Sequence, residues 1–380
     1  MYETNAVGSF SLKDHLFNRE TVTYLADQFQ AADSSFDHKS FVKQVLAKFK
    51  ELELKQRITH IAEVLEQHLS SDYKVAAKQI VAALPPKLDE SLADDDFGDF
   101  ILAPLGEYVV RNGLDKKQLR LSLKTLKEIT QRFSMEDAIR AFIRKYPEAT
   151  IAELEKWSVH RNYHVRRLVS EGTRPSLPWS GKVPLELTAA IPLLDQLHSD
   201  RTRYVTRSVA NHLNDISKKD PDLVLTTLQR WRSEQRQDDK ELTWMTKHAL
   251  RTLVKQGHPS TLKFLGYRPD PKITVSSITL ENDSVKPGES LEFSFSVDAE
   301  RDESLIIDYV IDFVKSNGGR AGKVFKIGVT DLKRGATKSF SKRHKLHANA
   351  TTFTLYPGTH QLSVQINGKI FQSVEFELLG

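Results

Sequence analysis

The side chains best suited to chemistry lie between Trp157 and Trp179, where arginines, aromatic rings and a single carboxylate occur close together. Arginines can neutralise phosphates and aromatic rings can lie against sugars or bases, so this mixture is typical of a nucleic-acid site. Glu171 is the exception, because a carboxylate repels DNA. Either it stabilises a positive charge that arises only during a reaction, or it pairs with a neighbouring arginine on a solvated face. The arginines of the segment are Arg161, Arg166, Arg167 and Arg174.

Two other patterns raise the question of a metal. His160 and His164 are four residues apart, a spacing that places two ligands on one helix face. No HExxH pattern and no cysteine accompanies them, and histidines beside arginines can contact phosphates instead. The acidic run Asp94–Asp99 lacks the Gly-rich nucleotide loop that a kinase-like Asp-Phe-Gly element needs, which favours a solvated connection. We expect no metal and no other cofactor.

Composition limits the class of protein. A chain of 380 residues is long enough for two or three packed units. The formal net charge is only +5, so any affinity for DNA must come from a localised basic face. The absence of cysteine excludes disulfides, a thiolate nucleophile and thiolate-bound metal clusters. We find neither a signal-like amino terminus nor a membrane-length apolar run, so we expect a soluble cytoplasmic protein without a membrane partner.

Two hydrophobic periods divide the chain. From residue 10 to about 265, apolar residues recur at three- and four-residue spacing, which is typical of helices. From Ile273 the period is two, with glycine and asparagine turn signals between the runs. Pro269 and Pro271 prevent a continuous helix across the junction. We therefore predict a helical domain over 1–268 and, over 272–380, an immunoglobulin-like sandwich of roughly seven strands.

An apolar-x-cation-x-apolar pattern recurs every 40 residues in the helical part, centred on Arg167, Arg207 and Lys247. That period is typical of HEAT helix pairs. The predicted fold is therefore mainly α, a HEAT-like α-solenoid of antiparallel helix pairs followed by the all-β sandwich. Stacked repeats align equivalent positions along a groove. The three cations then form a track for a phosphate backbone, or they pair with acids of adjacent repeats such as Asp200 or Asp215.

Four long motifs, in the same order, resemble the AlkC branch of the bacterial HEAT-like DNA alkylation-repair glycosylases. They cover residues 133–140, 164–179, 204–216 and 248–257, and the β domain resembles the immunoglobulin-like extension of one subset of that family. The resemblance implies a DNA-alkylbase N-glycosylase of base excision repair that acts on double-stranded DNA. It implies excision of cationic bases, notably 3-methylcytosine and 3-methyladenine, by hydrolysis of the N-glycosidic bond. It also implies that the base is not flipped into a pocket.

The resemblance assigns the family's three catalytic carboxylates to Glu136, Glu171 and Asp215, and its loop tryptophan to Trp179. The chemistry agrees, because a cationic base leaves without a general acid while the deoxyribose gains oxocarbenium character that a carboxylate stabilises. We expect Glu171 and Asp215 to face that sugar and Glu136 to position water or support the pair. Asp137 departs from the family pattern and could alter the local charge.

DNA contacts are expected along the helical groove and from a glycine-rich loop of the β domain. Glycines permit close backbone approach to a phosphate or a groove, and the resemblance implies that the β domain completes a clamp around DNA; a protein-binding module is the alternative. The expected contacts are Trp179, Arg161, His164, Arg166, Arg167, Arg174, Arg203, Arg207, Lys247, Arg251, Asn317, Gly318, Gly319 and Arg320.

Two other functions stay open at this stage. A HEAT scaffold with an adhesive β module would bind a protein partner, although it would not need three carboxylates within arginine-rich segments. A noncatalytic protein that binds alkylated DNA would use the same groove, with carboxylates that only pair with arginines. An activity assay separates this second function from a glycosylase. A clamp around one duplex predicts a monomer.

Overall fold

The computed structural model describes residues 11–89, 91, 97–348 and 353–380. The amino-terminal residues up to Phe10 and part of the acidic run Asp94–Asp99 lie outside the described residues. Within the described part, helices occupy the chain up to Phe264 and strands follow from Ile273. The predicted fold class, helical repeats followed by an all-β domain, is confirmed. None of the described helices combines the length and the apolar character needed to cross a membrane.

The helical part contains the following elements. The α-helices are α1 (Leu12–Leu16), α2 (Arg19–Ala32), α3 (His38–Ala47), α4 (Leu54–His68), α5 (Tyr73–Ala82), α6 (Ala103–Gly113), α7 (Leu119–Thr130), α8 (Glu136–Lys145), α9 (Pro147–Trp157), α10 (Tyr163–Thr173), α11 (Ile191–Leu197), α12 (Arg203–Ser217), α13 (Pro221–Glu234), α14 (Asp239–Ala249), α15 (Arg251–Lys255) and α16 (Pro259–Phe264). Short 3₁₀ turns lie at Phe49–Glu51, Phe100–Leu102 and Leu187–Ala190.

Helix α10 illustrates why these segments are helical. Its first turn is capped by Asn162, whose side-chain oxygen accepts hydrogen bonds from the backbone N–H groups of His164 and Val165 at 2.9 and 3.4 Å. Apolar residues at helical spacing, such as Val165 and Leu168, are fully buried. They pack α10 against α7, α8, α9 and α11. The helix therefore has a fixed start and a buried face.

The 40-residue pattern falls on corresponding helices. Its three cations lie on α10, α12 and α14. Its first apolar members, Val165, Val205 and Met245, are all fully buried. The pattern therefore marks equivalent core positions of successive helix pairs, as a HEAT-type repeat requires.

Two compact units are present. One comprises the chain up to Ile216 together with Gln229–His248, and the other comprises Ser217–Leu228 together with Ala249–Gly380. The second unit therefore contains helical residues as well as the strands. The domain boundary near residues 268–272 stays a prediction from the sequence.

The β domain has two sheets. Its strands are β1 (Ile273–Val275), β2 (Thr279–Leu280), β3 (Ser284–Val285), β4 (Ser290–Ala299), β5 (Glu303–Val314), β6 (Arg320–Leu332), β7 (Thr337–Lys345), β8 (Gly358–Ile366) and β9 (Lys369–Leu378). In the first sheet β4 pairs with β1, β2 and β7, and the second has the order β3-β9-β8-β5-β6. All pairs are antiparallel except β3 with β9.

The sandwich core lies between these sheets. Alternate residues of β4, such as Phe293 and Val297, share one hydrophobic cluster with residues of β5 and β8, such as Ile307 and Val364. The sequence predicts roughly seven strands, whereas the described residues form nine. The difference arises because β2 and β3 are only two residues long, too short for a period of two to be visible.

Candidate active site in the helical domain

Three helices position the three carboxylates singled out in the sequence. Glu136 is the first residue of α8, Glu171 lies near the end of α10 and Asp215 near the end of α12. Glu171 and Asp215 are buried, with exposed fractions of 5% and 6%, whereas Glu136 is half-buried. Buried carboxylates require charged or hydrogen-bonding partners, and arginines supply them here.

Arg174 joins two of the carboxylates. Its Nη1 lies 2.6 Å from Glu171 Oε1, and its Nη2 lies 2.8 Å from Asp215 Oδ2. Its Nε also donates to Asp215 Oδ2 at 2.8 Å. One guanidinium thus connects the carboxylate of α10 with that of α12. Both acids are held by charge-assisted hydrogen bonds, which are stronger than neutral ones.

Arg167 joins Glu171 to the third carboxylate. Its Nη1 donates to Glu136 Oε2 at 3.1 Å, and its Nη2 lies 3.8 Å from Glu171 Oε2. The guanidinium carbon lies 4.5 Å from the ring centre of Tyr204 and 5.1 Å from that of Phe97. These cation–π contacts stabilise the guanidinium in its place between the two carboxylates. The three carboxylates and two arginines therefore form one continuous cluster.

Three side chains that sequence reasoning missed complete the cluster. Ser134 Oγ donates to Glu136 Oε2 at 2.7 Å, and Ser208 Oγ donates to Glu171 Oε2 at 2.5 Å. His212 Nδ1 lies 3.1 Å from the backbone oxygen of Ser170. Two of them, Ser208 and His212, could have been found from the sequence, because their spacing places them on the same helix face as Asp215.

The protonation states follow from this environment. Burial alone would raise the pKa of Glu171, but the charges of Arg167 and Arg174 and the hydrogen bond from Ser208 outweigh it and hold that pKa below its usual value. Glu171 is therefore ionised at neutral pH. Burial lowers the pKa of His212 to about 4. The imidazole is then neutral at pH 7 and donates a hydrogen bond to the Ser170 carbonyl.

Trp179 lies at the tip of a tight turn in which Leu177 and Ser180 form a β-bridge. Its side chain is 61% exposed, which leaves the ring available for stacking. The turn is held near its tip, because Ser180 Oγ donates to Asp137 Oδ1 at 2.6 Å and the Lys55 ammonium donates to the Trp179 backbone oxygen. Asp137, the departure from the family pattern, is thus engaged with the tryptophan turn.

These elements border a cavity of about 1340 Å³. The charged side chains Glu136, Glu171, Arg167 and Arg174 line it together with Trp179. Apolar residues of α6, α8 and the neighbouring loops line much of the remainder. Asp215 is not among the lining residues and is connected to them through Arg174. Four of the five charged groups of the cluster therefore border the space in which a ligand would lie.

Several of the other side chains that are predicted to contact DNA form ion pairs with acidic residues. Arg166 pairs with Asp200 at 2.5 and 3.0 Å. Arg203 pairs with Glu241 and its guanidinium carbon lies 3.9 Å from the centre of the Trp244 ring. Pairing between repeats therefore accounts for these two cations. Arg167 and Arg174, by contrast, combine pairing with access to the cavity.

The remaining predicted contacts of the helical groove differ in exposure. Arg161 and Lys247 are exposed, and Arg207 and Arg251 are half-buried. His164 is only 5% exposed, and its ring packs against two tyrosine rings. Contact of these five residues with DNA stays a prediction. Their positions are: Arg161 before α10, His164 within α10, Arg207 within α12, Lys247 within α14 and Arg251 at the start of α15.

The predicted loop of the β domain is a tight exposed turn between β5 and β6. Gly318 has φ +76°, a conformation that favours glycine, and the Gly319 N–H donates to Asn317 Oδ1 at 3.1 Å. Arg320 Nη2 donates to the Thr359 backbone oxygen at 2.9 Å. The loop thus has a defined shape with its backbone accessible.

Within the described part of the chain, no three histidine, aspartate or glutamate side chains are grouped as a metal site requires. His160 Nδ1 accepts a hydrogen bond from the Asn162 N–H at 3.1 Å, so it serves the start of α10.

Comparisons with known proteins extend over nearly the whole chain. A family model described as "Uncharacterised protein YhaZ, C-terminal Ig-like domain" matches residues 274–380. The protein YhaZ of Bacillus subtilis (strain 168), which is uncharacterised, is 36% identical over 367 residues, covering 96% of this chain and 98% of that protein. The solved structure of the Pseudomonas fluorescens alkylpurine DNA glycosylase AlkC, bound to DNA containing an abasic site analog, is similar with a TM-score of 0.87 and 32% identity, covering 98% of this chain and 100% of that one.

Proposed function

This chain belongs to the AlkC-type family of HEAT-like DNA glycosylases, and from that premise we propose that it hydrolyses the N-glycosidic bond of cationic N-alkylated bases in double-stranded DNA. The proposed substrates are 3-methylcytosine and 3-methyladenine, released by a monomer in base excision repair. The observation that carries the proposal is the Glu171 carboxylate, which lines the cavity and is kept ionised by two arginines.

The reaction needs a negative charge near the sugar. A base alkylated on a ring nitrogen is already cationic, so it leaves without protonation, and positive charge then develops on the deoxyribose. In our proposal Glu171 stabilises that charge, an effect for which loss of one well-placed group costs about 3 kcal/mol. Glu136, which is half-buried and hydrogen-bonded to Ser134, orients the attacking water.

The role that we propose for Asp215 depends on its ion pair with Arg174. The guanidinium that Asp215 shares with Glu171 is also a group that phosphates attract. When Arg174 turns to a DNA phosphate, both carboxylates are released toward the lesion sugar. This sequence of events would present the anionic pair to the reacting sugar only when DNA is bound.

DNA binding in this proposal uses the cations and Trp179 at the cavity. The exposed indole stacks beside the lesion, and family membership is the basis for proposing that the base is not flipped. We further propose that the β domain binds DNA through the exposed turn at residues 315–320. Such a turn permits close approach of its backbone to a phosphate or a groove.

The direct test is base release from a duplex that contains a single 3-methylcytosine. We expect the protein to release the base and Glu171→Gln to do so at least about 100-fold more slowly, because about 3 kcal/mol of transition-state stabilisation is lost. Binding to a duplex with an abasic-site analogue should be retained by the variant. Unchanged release by Glu171→Gln would refute the assigned role.

A matched control is Glu66→Gln. Glu66 is an ion-paired glutamate, with its Oε1 2.8 Å from Arg111 Nε, and it does not line the cavity. We expect this variant to release the base at the parent rate.

A second function has one observation in its favour. Both buried carboxylates already pair with arginines, as they would in a noncatalytic protein that binds alkylated DNA. The same assay separates the two functions, because tight binding without release by the parent protein would favour the noncatalytic one.

A further inference from the structure

We propose that Arg140 is a positioning residue that couples the carboxylate cluster to the Trp179 turn. The inference rests on the proposed glycosylase function for its effect on rate, but the coupling itself is a property of the fold. Arg140 lies in α8, one turn after Glu136, and is fully buried with an exposed fraction of 0%.

The guanidinium of Arg140 binds only backbone oxygens among its hydrogen-bond partners in the described residues. Its Nη1 donates to Gly172 O at 3.1 Å and to Arg174 O at 2.8 Å. Its Nε and Nη2 both donate to Gly181 O, at 3.0 and 2.8 Å. A planar guanidinium with several fixed donors is suited to hold carbonyls from two segments at once.

Two of these oxygens belong to the end of α10. The last carbonyls of a helix lack partners within the helix, and a cation there is favoured by the helix dipole. Arg140 thus fixes the carboxyl end of the helix that carries Glu171. It also fixes the backbone of Arg174, whose side chain bridges Glu171 and Asp215.

The third oxygen belongs to the chain after the tryptophan turn. The chain leaves α10 at Arg174 and reaches Gly181 after passing through Trp179. Because Arg140 binds the backbone at both ends of this segment, one side chain closes the base of the loop. A change in the position of Arg140 would therefore move Arg174 and Trp179 together.

The experiment compares Arg140→Lys with Arg57→Lys. Lysine keeps the charge but cannot reproduce the fork of donors. Arg57 is also a buried arginine, 3% exposed, and it donates to the backbone oxygens of Phe17 and Phe49, both at 2.8 Å. It does not line the cavity, so its replacement controls for a reduced stability, which thermal unfolding of both variants measures.

The first readout separates chemistry from binding. We expect Arg140→Lys to lower the single-turnover rate of 3-methylcytosine release by about 10- to 100-fold, since small displacements of reacting groups cost that much. Its Kd for a duplex with an abasic-site analogue should rise by a smaller factor than the rate falls, since Trp179 and Arg174 supply only some of the proposed DNA contacts. Arg57→Lys should release the base at the parent rate. Equal decreases of the rate in the two variants would overturn the proposal.

The second readout needs no DNA. The protein has four tryptophans, so labelling with 5-fluorotryptophan gives a ¹⁹F spectrum in which Trp179→Phe assigns the resonance of Trp179. We expect Arg140→Lys to shift or broaden that resonance and Arg57→Lys to leave it unchanged. An unchanged Trp179 resonance in Arg140→Lys would overturn the proposed coupling.

These readouts keep the two proposals distinguishable. If the parent protein released no base, only the proposed function would fail, and the Trp179 resonance would still decide the coupling. If Arg140→Lys did not fold, Arg140→Gln would replace it, because the glutamine amide can still donate to one of the carbonyls.

Discussion

At the scale of single residues, the main feature is a buried carboxylate that stays ionised. An isolated carboxylate in a buried site would take up a proton. Glu171 avoids this because Arg167, Arg174 and Ser208 together lower its pKa more than burial raises it. The charge that the proposed reaction needs is thus present before DNA binds.

Ser208 provides a test of this balance. Ser208→Ala removes a donor 2.5 Å from Glu171 Oε2, and we expect excision to slow about tenfold or more, since a hydrogen bond to a charged group contributes about 1.5 kcal/mol or more. Ser208 lowers the pKa of Glu171, so its removal raises that pKa. The decline of the rate at acid pH should therefore begin at a higher pH than in the parent.

The control for Ser208→Ala is Ser122→Ala. Ser122 is equally buried, and its hydroxyl lies 2.7 Å from Tyr73 Oη and donates to Gly113 O at 2.8 Å. It does not line the cavity, so the rate and its pH profile should match the parent. An unaltered pH profile in Ser208→Ala would contradict the proposed balance of charges.

The sequence was informative about the types of the site residues and less so about their partners. Glu136 and Glu171 could be singled out by motif, but the role of Arg140 could not. Its partners include Gly172 and Gly181, 32 and 41 residues away in the chain. Only the packing of α8 on α10 brings them together.

At the scale of secondary-structure elements, α10 is the element on which the site depends most. A Cβ on Gly172 would lie 2.6 Å from Ile139 Cγ2, so glycine is needed for the close approach of α8 and α10. That approach places Arg167 within 3.1 Å of Glu136. The close packing of α8 and α10 therefore sets the distance between Arg167 and Glu136.

The cap of α10 can be tested by Asn162→Ala. Asn162 is fully buried and accepts from the first turn of the helix, and removal of such a cap costs about 1–2 kcal/mol. We expect the urea midpoint of unfolding to fall accordingly and base release to slow, because Arg167 and Glu171 lie on the same helix. Asn162→Asp, which keeps the acceptor, should restore most of the stability and of the rate.

Asp72→Ala is the matched change on another helix. Asp72 caps α5 by accepting from the Lys74 N–H at 2.8 Å. It should lower stability without slowing base release beyond the decrease in folded protein. If Asn162→Ala left the urea midpoint at the parent value, the cap would have no energetic role.

Elements differed in how well the sequence predicted them. The helices and the longer strands have a clear hydrophobic period, as β4 shows with Leu291, Phe293 and Phe295 on one face. The pairing of β3 with β9 had no local signal, because Ser284 pairs with Glu377 in parallel. A pairing between segments so far apart depends on the complete sandwich.

At the scale of the whole molecule, the modest net charge of +5 means that DNA affinity depends on where the cations lie. The proposal assigns part of that affinity to the β-domain turn. Its flanking cations, Lys315 and Arg320, are exposed. Neutralising them tests whether the strand-rich part of the chain contributes to binding.

We expect the double variant Lys315→Gln with Arg320→Gln to weaken binding to duplex DNA. The slope of log K against log salt concentration should become shallower by about 0.9 for each phosphate that the protein no longer neutralises. The control is Lys74→Gln with Lys78→Gln, two exposed lysines of α5 whose replacement changes the net charge equally. Equal slopes for the two double variants would argue against DNA binding by the turn.

The charged cluster has a consequence for encounters with undamaged DNA. Of the charged groups of the cluster that border the cavity, Glu136 and Glu171 have negative formal charges and Arg167 and Arg174 have positive ones, so these four groups balance. Together these four groups neither repel an approaching duplex nor hold it strongly. It follows that the carboxylates proposed for bond cleavage also allow rapid departure from intact sequence, which a protein that searches a genome for rare damage requires.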